Sequence, residues 1–293
     1  MKKNILYGEN KMGKKLLVLG SAGFLGSNFI RYILYRSKEY NIISVDGLFY
    51  KNDHKRLYLN KKHKFYLGDL RDINFLNKIL KIEEPDIIIN TINCNGALSQ
   101  YDKIDAVKIF SNILSFKLPI IQIISSYHLD TYGIWDFLRS NRLRVKTILQ
   151  NNLIIEIPNC FGTRQRCNLN YSSGFLPIYL KKMMLKEILC VSSKQAPWIN
   201  ADDLASFIWF AIENKLNGFI KMPETGKISI KEMLLKASKI YNLEVNIKDT
   251  DNYSIDYIYK GDNIKEWIPD MSINDSLNNT INWYKANNWA LNI

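Results

Sequence analysis

Long hydrophobic runs are missing from this 293-residue sequence. No stretch approaches the ~20 apolar residues that a membrane-crossing helix needs, so no membrane span is expected. Cysteine is sparse. Cys94, Cys160, Cys167 and Cys190 form no CxxC pair and have no histidine at metal-ligand spacing, so neither a zinc site nor a disulfide framework is indicated. Around Asn4-Ile5-Leu6-Tyr7 the first 15 residues are basic, but that apolar run is too brief for a signal-peptide core. Reduced thiols and the lack of these signals lead us to expect a soluble, cytoplasmic protein with no metal. Low-complexity tracts and internal repeats are absent as well. With 47% hydrophobic and 23% charged residues, the chain has enough apolar content to fold throughout.

The net charge is +12. The excess is lysine in a sequence equally rich in asparagine and isoleucine, which reads as compositional drift. A basic surface also attracts anionic dinucleotides and nucleotide-sugars, so charge favours anions without naming one. Arg139, Arg142 and Lys146 would share a helix face at i, i+3 and i+7. Such a stripe is usually a solvated surface, and nucleic acid is not the expected partner.

Short apolar runs punctuate the first half: Leu16 to Leu19, Ile42 to Val45, Phe65 to Leu67, Ile87 to Ile89, Ile120 to Ile124 and Leu153 to Ile155. Continuous rather than alternating apolar residues suit strands buried on both faces. Between the first two, Leu25, Phe29 and Ile33 recur at i+4 and predict one buried helix face. Six strand–helix repeats predict an α/β fold with a doubly wound parallel sheet. After Pro158 the pattern changes to helices and loops. There a capping signal, Ser229 with Glu232, opens a helix to about Tyr241, and another helix is expected over about 274–287. The expected organisation is an N-terminal extension over 1–13, a first domain over 14–158 and a smaller domain over 159–293. Of the latter, about 197–222 is expected to pack back on the first.

Gly20-Ser21-Ala22-Gly23-Phe24-Leu25-Gly26 follows the first strand and opens the first helix. Gly20 permits a tight turn, Gly23 lets backbone approach a pyrophosphate, and Gly26 lets the helix lie close to the sheet. Free N–H groups at the helix start then face the phosphates. Asp46, 26 residues beyond Gly20, stands where a carboxylate holds the adenosine ribose diol, and an acid there disfavours a 2′-phosphate. This points to a Rossmann domain binding NAD rather than NADP. Asp69, in Gly68-Asp69-Leu70-Arg71-Asp72 after the third strand, is a candidate partner of the adenine amino group.

With these motifs, the chain resembles extended short-chain dehydrogenases/reductases of the NAD-dependent epimerase/dehydratase family, most closely dTDP-glucose 4,6-dehydratases. The resemblance runs through Gly26 to Leu34, Asp46 with Tyr50 and Asn52, Pro85 to Asn90, Pro158 to Gln165 and Trp198 to Ala205. It implies cofactor contacts at Phe24, Leu25, Leu70 and Pro158 beside the glycines, Asp46 and Asp69. It also implies an NDP-hexose substrate met by Asn159, Arg164, Arg166 and Trp198, with the second half as substrate domain, and homodimerisation. Where the family has a substrate-phosphate arginine two residues before the tryptophan, this chain has Ala196.

The family's proton handling uses a Ser or Thr and a Tyr-x-x-x-Lys pair, whose lysine favours the phenolate of a group with free pKa ~10. Ser126 matches the first. No Tyr-x-x-x-Lys follows in the expected helix: the candidate registers are Tyr132 with Asp136, Phe137 with Asn141 and Leu138 with Arg142. We prefer Tyr132, which leaves a helix-length segment before the sixth strand; its alternative is a tyrosine in a Tyr-Gly loop pair. The dehydratases' Asp-Glu pair is replaced by Tyr127-His128, making His128 a candidate proton handler or a plain loop residue. Two functions are therefore expected in competition. One is an enzyme acting on an NDP-hexose by transient hydride transfer. The other is a catalytically inactive NAD-binding regulatory or scaffold subunit with a protein partner.

Overall fold

A computed structural model describes residues 13–49, 53–92, 103–125, 150–167, 175–250 and 260–291. The strands are β1 (Lys14–Leu19), β2 (Tyr40–Asp46), β3 (His63–Leu67), β4 (Ile87–Asn90), β5 (Ile120–Ser125), β6 (Leu153–Ile157), β7 (Asn159–Phe161), β8 (Leu189–Val191), β9 (Ala196–Asn200), β10 (Gly218–Lys221), β11 (Gly226–Ile228) and β12 (Ile247–Asp249). The helices are α1 (Phe24–Arg36), α2 (Ile73–Glu83), α3 (Lys103–Leu114), α4 (Phe175–Met184), α5 (Ala201–Glu213), α6 (Ile230–Tyr241) and α7 (Ile273–Ala286).

Seven strands form one parallel sheet in the order β10-β6-β5-β4-β1-β2-β3. The β1 run explains why both faces are covered. Leu16 and Val18 enter one apolar core with α1 and α5, while Leu17 and Leu19 enter the opposite core with α2 and α3. Side chains alternate across a strand, so a continuous apolar run feeds both layers at once. The order reverses between β1 and β4, whose carboxyl ends therefore flank the crevice typical of doubly wound sheets.

One feature of the second half differs from expectation. Six strands of three to five residues, β7 to β12, lie where helices and loops were expected; runs this short carry no readable periodicity. One of them, β10, returns to the first half and extends the large sheet beside β6. The others form a three-stranded sheet, β11-β9-β7, and the pair β12-β8. They enclose a third core built on Phe161, Leu180, Trp198, Leu234, Leu277 and Tyr284.

Helix starts are mostly closed by side chains. Asp72 accepts N–H bonds from Asn74 and Phe75, Asn200 from Asp202, and Ser272 from Asp275. Ser229 and Glu232 form the reciprocal capping box that the sequence predicted, and α6 ends at Tyr241. Ser229→Ala is expected to cost about 1 kcal/mol, lowering the melting temperature by about 2–4 °C in a thermal melt. Among the described residues, no helix is long and apolar enough to cross a membrane.

Candidate functional site

The glycine turn sits at the carboxyl end of β1. Gly20 adopts φ +76°, the left-handed region, and its carbonyl accepts from Gly23 N–H at 3.0 Å. Gly20 and Ser21 N–H both reach the Val45 carbonyl, at 3.1 and 3.3 Å, tying the turn to β2. At Gly26, a Cβ would stand 2.4 Å from the Gly20 oxygen and 2.9 Å from both Ser21 Cα and Thr91 Oγ1. Helix α1 thus approaches the turn more closely than any side chain allows.

Among the helices whose N-cap is described, α1 alone starts without a side-chain cap, its N-cap being Gly23. Its first N–H groups and its positive dipole end are left to the crevice. The buried Ser21 hydroxyl beside them has no hydrogen-bond partner among the described residues. Uncapped amides, a glycine-only approach and an unpartnered hydroxyl are together what an anionic diphosphate would satisfy.

Asp46 closes the crevice at the end of β2. Its Oδ2 accepts from Ala22 N–H at 2.9 Å and its Oδ1 from Leu48 N–H at 2.9 Å, so one carboxylate fixes both the glycine turn and the turn after β2. Burial pushes this carboxyl up from its ordinary value and Asp53 adds to the rise, while the two backbone N–H groups and Arg166 pull it down. In the same wall, Asp69 is gripped by Arg71 through Nε at 3.1 Å and a terminal nitrogen at 2.6 Å. Leu70 is buried within the α2–α3 core. Phe24 and Leu25 lie half-buried at the helix start, and Pro158 is buried between β6 and β7.

The segment after β7 is stitched to α1. Asn28 donates to the Thr163 carbonyl at 2.8 Å, and the Thr163 hydroxyl bonds the Asn28 amide oxygen at 3.0 Å. Tyr284 Oη lies 3.2 and 2.9 Å from the carbonyls of Gly162 and Gln165, which share its proton. Arg164 takes φ +64° and lies 5.6 Å from the centroid of the Trp283 ring; burial, then Arg31, brings its guanidinium down to about 10. Arg166 is paired with Asp53 at 2.5 Å. Asn159 is half-buried, its amide 3.4 Å from the Pro197 carbonyl.

Trp198 lies in the small-lobe core. It is 2% exposed, its indole N–H donates to the Ile228 carbonyl at 2.9 Å, and Phe161 and Phe175 meet it edge to face. Ser126, His128 and Tyr132 lie outside the described residues, as do Tyr50, Asn52, Arg139, Arg142 and Lys146. No cluster of His, Cys, Asp and Glu able to hold a metal occurs among the described residues.

Four participants escaped sequence reasoning. Ser21 lies inside the glycine motif but carries no signal there. Thr91, whose hydroxyl donates to the Leu19 carbonyl at 2.8 Å, follows a strand end that the sequence did mark. Asn28 and Asp53 act across the chain, at separations no local pattern encodes.

Residues 16–131 match the model of the NAD dependent epimerase/dehydratase family. The low-salt glycan biosynthesis protein Agl12 of Haloferax volcanii is 37% identical over 78 residues, which span 26% of this chain and 24% of that relative. Among solved structures, dTDP-glucose 4,6-dehydratase from Bacillus anthracis in complex with NAD superposes with a TM-score of 0.76 at 18% identity, covering 94% of this chain and 97% of that one. UDP-glucose 4-epimerase with UDP-glucose from Thermotoga maritima gives 0.68 at 17% identity, over 93% and 99%. At these identities the likeness establishes the fold.

Proposed function

We propose that this protein, whose residues 16–131 match the model of the NAD dependent epimerase/dehydratase family, belongs to that family, binds NAD(H) and acts on an NDP-hexose. The observation that carries the reading is the Gly20–Gly26 turn locked to Asp46 beneath an uncapped helix start. Phosphate oxygens fit the free N–H groups of α1, and the Asp46 carboxylate has lone pairs left for the two ribose hydroxyls. A 2′-phosphate would meet that carboxylate as a like charge, which selects NAD over NADP. Bound NAD supplies reversible hydride acceptance from a sugar carbon.

The chain's own part in the chemistry is to orient the sugar and move a proton. Ser126 directly follows Ser125, the last residue of β5. Ser126 and Tyr132, with His128 as a further proton handler, take these roles by resemblance. Asn159 and Arg164 are assigned to the substrate side, on the segment that begins with β7. The first 158 residues serve the cofactor and the remainder the sugar, in a cytosolic homodimer. The absence of a lysine four residues after any tyrosine in 126–150 favours a second reading, an inactive NAD-binding subunit.

Calorimetry with NAD and NADH, followed by a panel of UDP-, dTDP- and GDP-hexoses, separates these. Turnover that Tyr132→Phe abolishes supports the enzyme; NAD binding with silence across the panel supports the subunit; no heat with either dinucleotide rejects both. Asp46→Ala is expected to weaken NAD at least about 100-fold, because two charge-assisted hydrogen bonds are lost together with the lock on the glycine turn. A titration of the variant that overlays the wild type contradicts the assignment.

A further inference from the structure

We infer that Thr91 is a positioning residue for the cofactor: its hydroxyl holds the peptide that opens the glycine turn, and so aims the first N–H groups of α1 at the dinucleotide phosphates. The inference rests on the reading of the crevice above and gives a residue just beyond β4 a part in it.

The peptide between Gly20 and Ser21 is held from two sides. Its N–H, on Ser21, reaches the Val45 carbonyl of β2 at 3.3 Å, and its carbonyl, on Gly20, lies 3.2 Å from Thr91 Oγ1. The same hydroxyl donates to the Leu19 carbonyl at 2.8 Å, so one proton is shared between two consecutive carbonyl oxygens. Thr91 is itself well fixed. It is buried, its own N–H bonds the Leu19 carbonyl at 3.1 Å, and the N–H of Ile92 is taken by Asn90 Oδ1 at 3.2 Å. A β-branched side chain on a backbone held in this way has little rotamer freedom.

The hydroxyl also stands against the helix. A Cβ added at Gly26 would lie 2.9 Å from Thr91 Oγ1, and one added at Gly20 would lie 3.1 Å from it. Thr91 Oγ1 thus occupies the point where β1, the glycine turn and α1 converge. Glycine tolerates many backbone conformations, so Gly20 does not by itself fix the plane of the peptide that follows it. Val45 draws the N–H toward β2 and Thr91 draws the carbonyl toward β4, and between them the plane is set. This restraint is separable from stability, because each carbonyl keeps a second donor when the hydroxyl is removed: Thr91 N–H for Leu19, and Gly23 N–H, at 3.0 Å, for Gly20. No buried acceptor is orphaned. What is lost is the hold on the turn, and a binding site held less closely by its supporting groups binds less well.

The test is the dissociation constant of NAD and of ADP-ribose for the full chain, measured by calorimetry beside a thermal melt of the ligand-free protein. Thr91→Val, which keeps the shape and lacks the hydroxyl, is expected to weaken NAD about 3- to 10-fold, the worth of one hydrogen bond, with the melting temperature nearly unchanged. ADP-ribose carries the same diphosphate without the nicotinamide and is expected to lose the same factor. Thr91→Ser, which keeps the hydroxyl and lacks the methyl, is expected to bind both ligands as the wild type does. Thr91→Ala, set against Thr91→Ser, serves if Thr91→Val does not fold. Affinity that follows packing, with valine equal to wild type or serine as weak as valine, overturns this inference alone, and so does a loss confined to NAD. Wild-type protein that gives no heat with either ligand overturns the crevice reading, and this inference with it.

Discussion

Gly26→Ala is expected to abolish NAD binding and to lower the melting temperature by roughly 2–12 °C, from an overpacking cost of about 1–3 kcal/mol. Two effects oppose each other at this position. Alanine in a helix is favoured over glycine by about 1 kcal/mol, which alone would stabilise α1. Against this, the added Cβ meets the Gly20 carbonyl oxygen at 2.4 Å and Ser21 Cα at 2.9 Å. Both are backbone atoms, and the Gly20 and Ser21 amides are bonded to the Val45 carbonyl, so they have no rotamer into which to retreat. The helix must lift from the turn, and its first N–H groups move away from where phosphates would sit. A circular-dichroism melt and an NAD titration check both halves. A melting temperature above wild type would mean that helix propensity wins and that the close approach is not real.

Trp198→Ala is the largest stability change expected, about 3–5 kcal/mol. The indole fills the space between Phe161 and Phe175, and its N–H satisfies the Ile228 carbonyl on β11. Truncation removes the packing and leaves that buried acceptor unpaired. Because Trp198 belongs to the third core and not to the two that sandwich the large sheet, the loosening should start in the second half. Hydrogen exchange is expected to accelerate in α4, α6 and α7 before β1 and β2, with NAD affinity changed only a few-fold. Equal acceleration in β1 and β2 would mean that the lobes unfold as one unit.

The same tryptophan marks the boundary of what the sequence discloses. Strands fed by continuous apolar runs were legible because burial on both faces needs no partner to be named, and β1 to β6 lie where those runs are. Helix α6 was legible from its capping box, a contact between residues three apart. Asp46 was legible through its distance from Gly20, and its bond to Ala22 N–H makes that spacing a physical contact. Trp198 was assigned through resemblance to a substrate-facing role, and its burial depends on Phe161, Phe175 and Ile228, which are remote in the chain. Arg166 was assigned to a diphosphate for its charge, while its partner Asp53 lies 113 residues earlier. Local chemistry reads well from sequence; pairings across the chain do not.

The seventh strand of the large sheet also orders events during synthesis. Residues 218–221 form the outer edge beside β6, yet they leave the ribosome more than 60 positions after it. Until they arrive, β6 presents a row of unpaired amides and carbonyls next to an apolar surface, the kind of border along which nascent chains stick to one another. Cutting the chain after Pro158 would make that interim state permanent. The half that holds the glycine turn therefore relies on the other half for its own solubility.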